Sequence, residues 1–280
     1  MNDQAHHSLI AQIAGAPSSS LTDDGAAIAT STASHMIEAK TGGANTPSDL
    51  VTLFRAIAAD DRDQTTRLIA SSPELALQAA DTGATRQLAE PYFLRPLHHY
   101  VYAGDTALHI AAAAYRVDIA QELVVRGANV RARNRRGAEP LHYAADGAPG
   151  SSPYWNPTAQ AEVVEYLIRV GGDPNCRDNS GVAPLHRSVR TRCAAAVRAL
   201  LANGAEPRIR NGSGSTPLHL AVQTTGRAGT GNADAREQQG QIFRLLLEYG
   251  ARLTDEDSRG RTVGDFIAEH PAFPFPLPGA

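Results

Sequence analysis

Thr106-Ala107-Leu108-His109, Glu139-Pro140-Leu141-His142, Ala183-Pro184-Leu185-His186 and Thr216-Pro217-Leu218-His219 are copies of one phrase. Each follows a Gly (Gly104, Gly137, Gly181, Gly214) placed five residues before its His. A Leu-led run trails each copy and closes on Gly: Leu123 to Gly127, Leu167 to Gly171, Leu200 to Gly204 and Leu246 to Gly250. His109 to His142 and His186 to His219 are both 33 residues, and His109 to Leu123 and His186 to Leu200 are both 14. His142 to Leu167 is 25 and His219 to Leu246 is 27, so 11 and 13 extra residues sit at one point of the second and fourth copies. From each Leu run to the next His the distance is 19 in all three intervals. A fixed period of this length is the mark of a repeat architecture.

The same ruler finds worn copies at both ends. Leu246 plus 19 lands on Asp265, within Gly260-Arg261-Thr262-Val263-Gly264-Asp265. Upstream, Phe54 and Leu68 are 14 apart, and 22 extra residues, Asp81 to Tyr102, separate that copy from the next. Pro at the first helical position loses no hydrogen bond, because that N–H has no intrahelical partner. Thr106 and Thr216 are suitable N-caps, and the Gly after each Leu run suits a left-handed C-cap.

A 33-residue period carrying T-P-L-H-x-A resembles the ankyrin repeat family over Asp49 to His270. The resemblance implies an all-α ankyrin-repeat solenoid of stacked helix-turn-helix units with β-hairpin fingers. Four clear repeats are flanked by degenerate N- and C-terminal caps. One unit cannot bury its apolar face alone, so neighbours stack into a continuous core. The expected organisation is a disordered tail over 1–47, a repeat domain over 48–270 and a Pro-rich tail over 271–280. The Ser-, Ala- and Thr-rich start lacks the charged and apolar blocks of a secretory signal.

Composition narrows the function. No stretch approaches the ~20 apolar residues that span a bilayer, so no membrane partner is expected. The net charge of −3 offers no global basic field for nucleic acid. Cys176 and Cys193 lack metal-type spacing and fit a reducing compartment, and a cytoplasmic location is expected; a monomer is expected as well. Gly226-Arg227-Ala228-Gly229-Thr230-Gly231 has no phosphate-loop Lys and no strand before it. His98-His99 has no further ligand nearby. The four repeating histidines occupy one structural position, and in the family that His bonds near the Thr of its own phrase. Glu139 and Ala183 replace that Thr in two copies, so the expected network is incomplete. No enzyme, cofactor or metal is therefore expected.

Two features carry the binding expectation. Arg131, Arg133, Arg135, Arg136, Arg177, Arg208 and Arg210 fall in successive fingers and would form a basic edge, partly neutralised by Asp173, Asp178 and Glu206. Such an edge steers an acidic protein surface. The resemblance implies a partner-binding concave face carrying Arg135, Arg136, Ala138 and Asp146 in the second repeat. The third repeat adds Asn179, Ser180, Val182, Arg190 and Thr191, and the fourth adds Ser213, Ser215, Gln223 and Thr224, with Gly212 beside them. The expected function is a non-catalytic protein–protein interaction scaffold or adaptor. The alternatives are a nucleic-acid binder using the finger stripe, or a regulatory subunit of an enzyme encoded elsewhere.

Three insertions stay open. Asp81 to Tyr102, with Tyr92, Phe93, His98, His99, Tyr100 and Tyr102, is either an elongated finger offering aromatic anchors or a flap sealing the first two repeats. The loop over 147–158 carries Tyr154 and Trp155, either exposed or packed as a lid. The loop over 226–235 is Gly-rich and lacks aromatics.

Overall fold

The computed structural model describes residues 49–147, 155–223 and 233–269. The chain divides into two units, Met1–Thr46 and Pro47–Ala280, and every described residue belongs to the second. Among the described residues the α-helices are α1 (Asp49–Ala58), α2 (Arg62–Ser71), α3 (Ala107–Ala113), α4 (Val117–Val125), α5 (Pro140–Ala145) and α6 (Pro157–Arg169). They continue as α7 (Pro184–Arg190), α8 (Ala194–Ala202), α9 (Pro217–Ala221), α10 (Ala233–Glu248) and α11 (Val263–Ala268). Each odd-numbered helix begins with the repeated phrase or its worn copy, and these stack as an inner row from α1 to α11. The helices α4, α6, α8 and α10 stack outside them.

The phrase explains its own helices. Pro140, Pro184 and Pro217 open α5, α7 and α9 where no N–H is needed. Leu108, Leu141, Leu185 and Leu218 follow and are buried, as are Leu123, Leu167, Leu200 and Leu246 of the outer helices. Ala111, Ala112, Ala144, Ala145 and Ala221 are fully enclosed, small enough for neighbouring inner helices to approach closely. Trimming one of these leucines to alanine costs about 2–5 kcal/mol in a packed core.

The fingers differ from the expected hairpins. Among the described residues the only two-stranded ribbon is β1 (Phe93–Leu94) against β2 (His99–Tyr100), paired Phe93 to Tyr100 and Leu94 to His99. The fingers between repeats are compact turns, each wound about one Asn or Asp. Asn134 Oδ1 accepts from the N–H of Arg136 and Ala138, and Asp178 Oδ1 from Ser180 and Val182. Asn211 does the same for Ser213 and Ser215, and Asp257 for Arg259 and Arg261. An Asx side chain that satisfies two backbone donors removes the need for a paired strand. Neighbouring tips are linked by single backbone bonds: Arg135 N–H to Ala103 O, Asn179 N–H to Arg136 O, Gly212 N–H to Ser180 O, and Ser258 N–H to Ser213 O. Gly181 permits this stitching, since its φ is +70° and a Cβ there would lie 2.7 Å from the Gly212 nitrogen.

The 81–102 insertion lies folded back, as the second of its two readings had it. Leu94 and Val101 are buried, and Tyr92 and Leu97 pack against the core. The His99 ring meets Tyr143 of α5 at 4.5 Å between centroids. His98 stays exposed at φ +50°.

The other two insertions share one anchorage. Where a repeat lacks an insertion, a left-handed residue joins inner to outer helix: Asp60, Tyr115 and Arg192, at φ 59°, 56° and 61°. The side chains of Tyr115 and Arg192 reach into the next repeat, where the insertion leaves. Tyr115 Oη donates to the Asp146 carbonyl at 2.5 Å, and Arg192 Nη2 to the Gln223 carbonyl at 2.8 Å. From the other side Gln160 Nε2 donates to the Ala144 and Asp146 carbonyls at 2.9 and 3.2 Å. Gln239 Nε2 repeats this on Ala221 and Gln223 at 2.7 and 2.9 Å. Trp155 packs against the core and donates Nε1 to Gln160 Oε1 at 2.9 Å, so its lid-like reading holds. Tyr154 and residues 226–232 lie outside the described residues, while 233–235 already belong to α10. Gln160→Ala strips the buried Ala144 carbonyl of this donor, and we expect a loss of about 1–3 kcal/mol in urea unfolding.

Candidate protein-binding face

The four histidines form a ladder that ties each repeat to the next. The backbone N–H of Thr106, Glu139, Ala183 and Thr216 donates to Nδ1 of His109, His142, His186 and His219 at 3.1, 3.1, 3.2 and 3.1 Å. An Nδ1 that accepts carries no proton, so Nε2–H is the donor on the far side. It reaches the carbonyls of Ala138, Val182, Ser215 and Arg261, at 3.1, 2.9, 3.1 and 3.3 Å. The network is complete where Thr is missing, because backbone atoms supply both bonds. The hydroxyls of Thr106 and Thr216 only add a second donor, at 3.0 and 2.8 Å. Burial lowers the pKa of all four rings, to about 3 for His142 and about 4 for His186. They stay neutral at pH 7 and occupied on both nitrogens. At the last unit Asp265 stands in for His: it accepts from Thr262 N–H at 2.8 Å and from its hydroxyl at 2.7 Å.

The residue after each His forms a row of its own: Ile110, Tyr143, Arg187 and Leu220. Its two polar members bring buried charge into the stack. Tyr143 Oη donates to the fully buried Asp105 carboxylate at 2.8 Å, which also accepts from Asn134 Nδ2 at 2.8 Å. Arg187 bridges Asp146 at 2.8 Å and Asp178 at 3.1 Å. Burial pushes the Arg187 pKa down, and the two carboxylates more than reverse that. Burial also pushes up the thiols of Cys176 and Cys193, the latter to about 12, which leaves both protonated. A thiol held protonated is not a nucleophile. Among the described residues no group of three His, Cys, Asp or Glu side chains is placed to hold a metal ion.

The sequence-selected positions separate into three groups. Arg135, Asn179, Ser180, Arg190, Ser213 and Gln223 are exposed. Arg136, Asp146, Val182, Thr191 and Ser215 are half-buried and already engaged. Arg136 Nη1 donates to Tyr102 Oη at 3.0 Å, with its guanidinium 4.9 Å from that ring. Asp146 holds Arg187, the Val182 and Ser215 carbonyls take the histidine ladder, and the Thr191 hydroxyl donates to the Arg187 carbonyl at 2.9 Å. Ala138 is corrected: it is 1% exposed, enclosed beneath the finger with its N–H on Asn134 and its carbonyl on His109, so it offers a partner no side-chain contact. Thr224 lies outside the described residues.

The finger arginines also fall into classes. Arg131 is paired with Asp173 at 3.4 Å and Glu139 at 3.5 Å, and Arg208 with Asp255 at 2.6 Å. Arg133 Nη2 donates to the Arg177 carbonyl at 2.7 Å, and Arg135 Nη2 to the Ala84 carbonyl. Glu206 and Asp178 do not pair with the finger arginines, Asp178 being turned inward to Arg187. Sequence reasoning missed Arg187, Tyr143 and the turn-forming role of the Asx residues. The last had a signal, an Asn or Asp three residues before Gly137, Gly181, Gly214 and Gly260.

Paired inner and outer helices, turn-built fingers and a histidine ladder define a helical repeat solenoid. A family model described as ankyrin repeats (3 copies) matches residues 53–151 and 157–257. The chain belongs to the ankyrin repeat family. An ankyrin repeat protein of Acanthamoeba polyphaga mimivirus is 28% identical over 114 residues, 38% of this chain and 14% of that protein. An Arabidopsis thaliana protein named E3 ubiquitin-protein ligase KEG is 32% identical over 97 residues, 34% of this chain and 5% of that protein. The chain thus spans a minor part of the length of these relatives. Ankyrin repeats are generally protein–protein interaction modules, and the family is typically non-catalytic. Among the described residues no helix is long and apolar enough to cross a membrane.

Proposed function

We propose that the chain is a non-catalytic scaffold or adaptor that binds a protein with an acidic surface along its concave face, between the finger tips and the inner helices. The observation that carries this reading is Arg190, exposed at the C-terminal end of α7 and without an ion pair among the described residues. The exposed finger arginines 135 and 177 extend the positive face, and the tips at Asn179, Ser180 and Ser213 are small and polar. Charges so arranged speed encounter and fix register more than they raise affinity. The repeating histidines support a non-catalytic role, since both ring nitrogens are spent on the backbone.

The test is affinity capture from cell extract with the wild type beside the Arg135→Glu/Arg136→Glu/Arg190→Glu variant, matched by circular dichroism. We expect an acidic protein to be retained by the wild type and its capture to fall about tenfold or more with the variant. Capture unchanged by the three reversals would overturn the concave site. Recovery of nucleic acid that leaves steeply with salt would replace the scaffold reading with the basic-stripe alternative.

A further inference from the structure

We propose that the 81–102 insertion is a displaceable strap: it occupies Arg135 and Arg136, and an acidic partner draws both away from it on binding. The inference rests on the scaffold reading and names a regulation of the same face.

The insertion is fixed along two sides. On the near side Leu94 and Val101 are buried, and with Leu50 and Phe54 of α1 they line a groove at the first repeat. Tyr102 N–H donates there to the buried Asp105 carboxylate at 2.7 Å. On the far side the contacts go to α5 and the finger before it. Arg135 Nη2 donates to the Ala84 carbonyl, and its guanidinium lies 5.3 Å from the Tyr102 ring. Arg136 Nη1 donates to Tyr102 Oη at 3.0 Å, with its guanidinium 4.9 Å from the same ring. The His99 ring meets Tyr143 at 4.5 Å between centroids.

Three features make the far side the weaker one. In these bonds both guanidinium groups meet neutral oxygens, whereas a carboxylate accepts from the same fork through two parallel bonds and with full opposite charge. His99 Nε2 is shut off from solvent without a hydrogen-bond partner, and a bond left unmade in that way disfavours the closed arrangement. His98, which ends the turn between β1 and β2, sits at φ +50°, where a residue other than Gly is crowded. An aspartate or glutamate of the partner thus offers Arg135 and Arg136 more than the strap does. Its arrival frees the far side, while Leu94, Val101 and Asp105 keep the near side in place. Affinity is then set jointly by the partner's own contacts and by the fraction of molecules with the strap lifted.

The experiment uses the full chain and a fluorescein-labelled hexaglutamate peptide at low ionic strength, with hydrogen exchange of the insertion read by mass spectrometry. Peptide binding to the wild type should speed exchange over residues 93–100. Tyr102→Phe keeps the ring and removes the hydroxyl, so the peptide should bind about fivefold tighter, the worth of one hydrogen bond. His99→Ala removes the contact with Tyr143 and should tighten binding about threefold, with faster exchange over 93–100 before any peptide is added. Binding to the wild type with unchanged or slower exchange over 93–100 overturns the strap and leaves the acidic-partner face standing. So does a peptide that binds neither variant more tightly than the wild type. Binding by the two variants alone supports the strap in its strongest form, a wild type closed to this peptide. No binding by any of the three overturns the acidic-partner face and the strap with it.

Discussion

Arg187→Ala is expected to cost the repeat domain about 3–5 kcal/mol, the range for breaking a buried ion pair from one side. Arg187 is 11% exposed at its side chain and Asp178 is 9% exposed, so the truncation strands a carboxylate that water reaches poorly. Asp178 already gives Oδ1 to the N–H of Ser180 and Val182, but its Oδ2 depends on Arg187. The triad is not thereby a net gain over an apolar core. Arg187 Nε is buried without a hydrogen-bond partner, which charges part of the desolvation against the pair. The chain contains its own control. The row position of Arg187 holds Ile110 and Leu220 in other repeats, and the turn position of Asp178 holds Asn134 and Asn211. The double variant Arg187→Leu/Asp178→Asn should therefore recover most of the stability lost in Arg187→Ala. Urea unfolding followed by circular dichroism reads both. A loss below about 1 kcal/mol for the single variant would mean the site behaves as a surface pair.

That triad also shows where reading the sequence stops. The period, the worn ends and the place of every insertion were legible, because a helix pair repeats its apolar and Gly positions wherever it is copied. The Arg187 bridge was not, since its two acids lie 41 and 9 residues away and meet it only after stacking. The same holds for His99 on Tyr143, which turned the 81–102 insertion inward. Ala138 failed as a contact position because the finger is a turn wound on Asn134 rather than a hairpin with an open face. The left-handed Tyr115 and Arg192 hid in plain sight: neither residue type announces a positive φ, and each is fixed there by the same turn between inner and outer helix. Gln160 and Gln239 were overlooked because the loops they hold differ in length, although their roles coincide.

The second large effect is acid sensitivity arising from the ladder itself. An unfolded histidine titrates near 6.5, whereas burial holds His142 to about 3 and His186 to about 4 in the fold, with His109 and His219 shifted the same way. A depressed folded pKa means that the unfolded chain binds protons first. The ladder's stabilisation is thus fully present above pH 6.5 and declines as the pH falls toward 4 and 3. At 1.36 kcal/mol per unit, His142 and His186 each forfeit about 2.5 kcal/mol by pH 4.5, or about 5 kcal/mol together. For a domain of this size that lowers the thermal midpoint by about 10–20 °C between pH 7 and pH 4.5. Asp178, held below its ordinary pKa against burial by Arg187, adds its own loss only at still lower pH. The assignment to the rings is separable from general acid unfolding. His186→Gln lowers stability at pH 7, because the Ser215 carbonyl and the Ala183 N–H lose their partner, yet it removes one titrating ring and so flattens the decline. A His186→Gln variant that falls as steeply as the wild type from pH 6.5 to 4.5 would place the sensitivity elsewhere. A shallower slope would assign it to the bonds that hold one repeat to the next.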